Sequence, residues 1–176
     1  MIIYFLRHAN AGEKKTDPRK DEKRPLDESG VAQSVDVGRV LARMDVHVDI
    51  VLSSPLKRAT QTAALVANEL GHESTLQIDN ALRPEAQFVA FRELLSRCAK
   101  HEAIMVVGHN PSMNEFLSLL LSRGTNSQLT ELKKGSVARV DVDRKRAVLK
   151  WMITPKLARV FHESTATKSR PKTTRK

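Results

Sequence analysis

A chain of 176 residues with 40 % hydrophobic content suits one domain with a substantial core. It holds no apolar run near the roughly 20 residues that cross a bilayer, and its opening run Ile2–Leu6 lacks the basic flank and cleavage site of a signal peptide. The net charge of +10 is a weak argument for nucleic acid, because half of it lies in Lys168, Arg170, Lys172, Arg175 and Lys176, and the 4 % aromatic content is too small for a base-stacking platform.

Residues 2–6 read as a buried strand, a short apolar run bounded by polar residues. Residues 10–28 are dense in charge, carry Pro18 and Pro25, and read as a long loop of the kind that is functional or mobile. A helix is predicted over 29–44 with Val31, Val35, Gly38, Leu41 and Met44 on its inner face. Residues 49–52 form the second strand. Ser54 is placed as the N-cap of the next helix and Pro55 as its first residue; Leu56, Ala59, Ala63, Val66 and Leu70 make its stripe, and Gly71 ends it. A short strand over 76–78 precedes a helix over 85–100 with Phe88, Phe91, Leu95 and Cys98 inward. Cys98 is the sole cysteine, so the chain has no internal disulfide; that agrees with a reducing compartment and places the protein in the cytoplasm.

Residues 103–107 read as the third main strand. Pro111 opens a helix that turns Met113, Phe116, Leu117, Leu120 and Leu121 inward and stops at Gly124. The alternation in 136–142 and 147–153 around Asp143-Arg144-Lys145-Arg146 reads as a hairpin. Residues 1–155 make the domain, and 156–176 a basic, disordered extension with too little apolar surface to order itself. The whole is an α/β fold: a compact three-layer α/β/α sandwich with a mainly parallel sheet and no large lid insertion.

Three strand–loop–helix junctions carry the chemistry, and all fall at the carboxyl edge of the sheet, where open α/β folds build their sites. The first holds Arg7 and His8. The second is Ser53-Ser54-Pro55-Leu56-Lys57-Arg58-Ala59-Thr60-Gln61-Thr62, and the third Gly108-His109-Asn110-Pro111. His8 is the candidate nucleophile, since a neutral imidazole can attack phosphorus and split one hard displacement into two easier ones. Arg7 and Arg58 carry planar forks matched to phosphate oxygens. His109 can hydrogen-bond such an oxygen as imidazolium or assist a proton transfer, and Asn110 can orient it or contact substrate. Each residue alone has an ordinary structural reading; their joint placement is the signal.

These three motifs resemble the histidine phosphatase superfamily, formerly grouped with phosphoglycerate mutases. Arg24-Pro25-Leu26 before Asp27-Glu28-Ser29-Gly30, the short length and Trp151 in the late strand are similar, more narrowly, to SixA-type phosphohistidine phosphatases. The resemblance covers residues 1 to about 155. It implies that His8 becomes phosphorylated, that Arg7, Arg58 and His109 hold the phosphoryl group, and that Arg24 folds its loop back to join them. The superfamily usually adds a carboxylic acid. Glu85, after Leu82-Arg83-Pro84, is the candidate for that role here, and SixA-type members lack the usual acidic motif at this place.

A missing acid disfavours phosphate esters, whose alkoxide must be protonated on leaving, and favours a phosphoramidate. With one short strand and one helix between Gly71 and Ala103, no long insertion closes over the substrate, which suits a phosphoryl group displayed on another protein. The expected activity is removal of phosphate from a phosphohistidine-bearing protein domain, such as a histidine-phosphotransfer domain, with no metal and no cofactor. The alternatives are an acid-phosphatase-like hydrolase of small phosphate esters and, from another class, a non-catalytic basic protein that binds phosphate or nucleic acid.

Overall fold

The computed structural model describes residues 1–123, 129–143 and 146–166, the stretch 162–166 as backbone only. Its central strand is the first apolar run, β1 (Ile2–Arg7). Strand β4 (Ala103–Gly108) runs parallel on one side of it, and β5 (Val137–Val142) antiparallel on the other. Outward from β4 come β2 (Ile50–Ser53) and the short β3 (Gln77–Ile78), both parallel. Outward from β5 comes β6 (Ala147–Ile153), antiparallel. The sheet order is β3-β2-β4-β1-β5-β6.

Strands β2 and β4 are buried along their whole length, which requires cover on both faces. Alternation along β1 shows how that cover divides. Ile3 and Phe5 join Leu52, Phe91, Leu94, Ile104, Phe116 and Leu117 on the side of α4 (Phe88–Arg97) and α5 (Ser112–Leu121). Tyr4 and Leu6 join Val37, Leu41, Val51, Ala63, Val66 and Met105 on the side of α2 (Glu28–Arg43) and α3 (Lys57–Glu69). The three-layer architecture read from the sequence is the one observed.

Four local expectations are corrected. The inner face of α2 is Ser34, Val37, Gly38 and Leu41, while Val31 and Met44 are exposed. The close approach of α3 explains this: a Cβ at Gly38 would lie 2.7 Å from Glu69 Cβ, so the glycine must face that helix. The charged loop contains a short helix, α1 (Pro18–Glu22), whose N-terminus is capped by the Asp17 carboxylate. Helix α3 starts at Lys57 with Leu56 at its cap, so Ser54 is not an N-cap and is left for another partner. Finally, residues 155–166 form α6 (Pro155–Ala166), which packs on α2 and buries Ala158 completely. Thr154 starts it by accepting from Leu157 N through Oγ1, with Pro155 as first residue. The part of the predicted 156–176 extension up to residue 166 is therefore helix. Residues 167–176, with the basic cluster Lys168–Lys176, lie outside the described residues, as do Gly124 and the hairpin positions Arg144 and Lys145. No described helix is long and apolar enough to cross a membrane.

Candidate active site

The parallel ladder continues beyond its strands and fixes the three junctions against one another. His8 N donates to Gly108 O at 3.0 Å and Ser54 N to Val107 O at 2.9 Å. From the far side Gly135, at φ +70°, donates its N–H to the carbonyls of both Arg7 and His8. The end of β1 is thus held by backbone from residues 108 and 135.

His8 and His109 come together, their ring centroids 4.8 Å apart. His8 Nδ1 lies 2.7 Å from the Ala9 carbonyl. A carbonyl only accepts, so Nδ1 carries the proton and Nε2 keeps its lone pair. His109 is oriented oppositely: its Nε2 lies 2.9 Å from Ser54 Oγ, while its Nδ1 is buried without a partner among the described residues. Leu56 N donates to the same Ser54 Oγ, and when the hydroxyl gives its one proton to His109 Nε2 the ring's own proton lies on Nδ1. One ring therefore presents a lone pair and the other an N–H.

The arginines are anchored alike. Arg7 Nη1 donates to the Leu132 carbonyl at 2.8 Å, and Arg58 Nη1 to the Asp21 carbonyl at 2.9 Å and to Asp21 Oδ2 at 3.2 Å. In both, Nε is buried and without a partner among the described residues. Two forks held by one terminal nitrogen, with their Nε donors unspent, are prepared for an oxyanion. Arg24 reaches the same place: its Nε donates to Asp21 Oδ1 at 2.9 Å and its Nη1 to Gly12 O at 2.7 Å. Asn110 Nδ2 donates to Leu132 O, the carbonyl that also holds Arg7.

Arg7, His8, Arg24, Arg58, His109 and Asn110 all line one open cavity of about 720 Å³. Burial pushes His8 down to about 3, with Arg58, Arg7 and Lys134 adding to the effect against the opposing pull of the Ala9 carbonyl. Burial, then His8 and the arginines, push His109 down to about 2. Both rings are neutral at ordinary pH in the unliganded site. The imidazolium expected at His109 is therefore not its resting form; the neutral ring already has an N–H to donate.

Glu85 does not belong to this cavity. Pro84 forms the wall, and the Glu85 side chain, 67 % exposed, lies 3.6 Å from Arg83 and lines an adjoining pocket that shares Arg58, Asp21 and Pro84 with the cavity. The carboxylates on the cavity wall are Glu13, Asp21 and Asp27. Asp27 is occupied in accepting from Gly30 N at the start of α2, and Asp21 in holding arginines. Burial tends to raise the Asp21 carboxyl, but Arg24, Lys15 N and Arg58 together hold it below the usual carboxylate range. Sequence reasoning missed Ser54, Asp21 and the Leu132 carbonyl as supports. It also passed over Thr62, whose Oγ1 donates to Arg58 O and accepts from Ala9 N, joining the two motifs. Among the described residues no group of three or more His, Cys, Asp or Glu side chains could hold a metal ion.

Comparison with known proteins follows the same lines. The sequence profile of the Histidine phosphatase superfamily (branch 1) matches residues 3–91. An uncharacterized protein of Picosynechococcus sp. is 33 % identical over 140 residues, covering 78 % of this chain and 83 % of that one. Among solved structures, the protein histidine phosphatase SixA complexed with tungstate aligns with a TM-score of 0.78 at 23 % identity, over 89 % of this chain and 98 % of that one. The alpha-ribazole phosphatase from Shigella flexneri aligns with a TM-score of 0.70 at 18 % identity, over 88 % and 97 %. At these identities the two structures establish a shared fold.

Proposed function

The chain belongs to the histidine phosphatase superfamily, and on that footing we propose that it is a phosphohistidine protein phosphatase that works through a phosphoenzyme on His8. In the first step His8 Nε2 attacks phosphorus in line, a new P–N bond forms and the P–N bond to the substrate imidazole breaks. When the other nitrogen of that imidazole is protonated, the ring leaves neutral and needs no acid from the enzyme. The Nε sides of Arg7 and Arg58, the Nδ1–H of His109 and the Arg24 fork meet the charge spread over the equatorial oxygens. In the second step water attacks phosphorus, the bond to His8 breaks with its electron pair returning to Nε2, and dihydrogen phosphate leaves with both of the water's protons.

One observation supports the choice of substrate: the predicted acid, Glu85, is not among the residues lining the cavity that holds the phosphoryl-binding groups. A phosphoramidate needs no acid at that place, whereas an alkyl phosphate needs one from elsewhere in the site. Lys14 and Lys134 on the cavity wall add positive charge that favours an acidic protein surface around the phosphohistidine, and the partner we propose is a histidine-phosphotransfer or similar signalling domain. The single cysteine, Cys98, is buried and free, in keeping with a cytoplasmic site of action.

Hydrolysis of small phosphate esters is the second reading, favoured by Glu13 on the cavity wall and by the fold shared with alpha-ribazole phosphatase. Turnover of a phosphohistidine-bearing protein measured beside small esters separates the two; a higher kcat/KM for the esters would overturn the first. His8→Ala should abolish turnover and phosphoenzyme labelling together, and an active His8→Ala protein would refute the mechanism.

A further inference from the structure

We infer that Asp21 is a positioning residue of this site, the counter-ion that lets Arg24 and Arg58 stand together in the unliganded cavity. The inference rests on the phosphoryl-site reading above. Arg58 and Arg24 come from separate segments, and their side chains are only 7 % and 11 % exposed. Two guanidinium groups with so little water around them repel, and each must give up part of its hydration. Asp21 stands between them and uses every acceptor it has. Its Oδ1 takes Arg24 Nε at 2.9 Å and Lys15 N at 3.0 Å, its Oδ2 faces Arg58 Nη1 at 3.2 Å, and its backbone carbonyl takes Arg58 Nη1 at 2.9 Å.

The second anchor of the Arg24 side chain is one carbonyl, Gly12 O, in the same exposed loop. Without the Asp21 charge, nothing else among these contacts offsets the repulsion from Arg58. A carboxylate near an anion site also repels the anion, so two effects oppose. Positioning wins because Asp21 grips Arg58 by Nη1, whereas the unspent Nε lies on the other edge of the fork. The arginine brought in is worth more than the negative charge left behind.

The test is calorimetric binding of tungstate to the full chain, compared among the parent, Asp21→Asn, Arg24→Ala and the double variant. Asp21→Asn keeps size and an acceptor oxygen and removes only charge. It should weaken binding about tenfold, the scale of one lost charge-assisted contact. The double variant should bind scarcely more weakly than Arg24→Ala alone, since no second cation is left to hold, whereas general damage to the fold would add to the first loss. Asp21→Glu should recover most of the affinity. Equal or tighter binding by Asp21→Asn, or additive losses in the double variant, would overturn the inference. A parent chain that binds no tungstate would overturn the phosphoryl-site reading itself, and this inference with it.

Discussion

Ser54→Ala removes one oxygen atom and asks what it does for His109. Both residues are buried, Ser54 fully and His109 to within 1 %. The hydroxyl is the partner of Nε2 at 2.9 Å, so its loss leaves a buried ring nitrogen unsatisfied, at a cost of about 1–3 kcal/mol. The Leu56 N–H also loses an acceptor, but at 3.4 Å that bond is weak. The functional effect is separate from the cost in stability. In the parent the hydroxyl proton fixes the lone pair on Nε2 and the proton on Nδ1, the nitrogen left for ligand. Without it the two neutral tautomers approach equal weight, and binding must first select the productive one. A bias of about 1 kcal/mol, the net worth of an ordinary hydrogen bond, holds roughly five-sixths of the rings in the productive tautomer, so a fall to about one half lowers tungstate affinity about twofold. Urea denaturation reads the first effect, tungstate titration the second, and the nitrogen chemical shifts of the His109 ring show whether the tautomers have mixed. A Ser54→Ala protein with parental stability, affinity and ring shifts would refute the assignment.

Acidification should destabilise the unliganded protein. His8 and His109 are held at about 3 and about 2, against 6.5 ordinarily, so on acidification through about 6.5 the unfolded chain gains protons that the folded chain refuses. This part of the stability is complete above the ordinary histidine value and is lost below it. Denaturation midpoints should drop between about pH 7 and about pH 5, and less steeply in a His8→Gln, His109→Gln variant; equal pH dependence in the two would count against the assignment. Gly135→Ala should destabilise by about 1–2 kcal/mol from the left-handed backbone alone, at φ +70°, with a further penalty from a Cβ 2.8 Å from Pro155 Cγ. Urea denaturation measures it, and an undiminished midpoint would contradict the geometry.

The strands were legible because burial on both faces leaves continuous apolar runs such as Ala103–Val107, and the three junctions because chemistry-bearing residues follow those runs directly. Arg24 was legible only through family resemblance, since nothing in a loop crowded with charge distinguishes it. Its pairing with Asp21 is an i,i+3 spacing among many equally charged neighbours. Ser54 misled because Ser-Pro imitates a helix start; the helix begins at Lys57 with the buried Leu56 at its cap, and the Ser54 hydroxyl meets His109 instead. Helix α6 was hidden by its basic composition, although Thr154-Pro155 is the same start signal, this time a true one. Glu85 was plausible by position, but one residue decides which side of a chain faces inward, and there Pro84 has the inner place. The carbonyl of Leu132, which holds Arg7 and Asn110, has no sequence signature at all, because every residue owns one.

The first strand made is also the one that must wait longest. Both neighbours of β1, β4 and β5, come from far downstream, and Arg7 takes its anchor from a residue 125 positions later. While the polypeptide is still emerging from the ribosome, the proposed nucleophile is therefore already synthesised but unsupported. A nascent chain ending before residue 132 should carry no phosphatase activity.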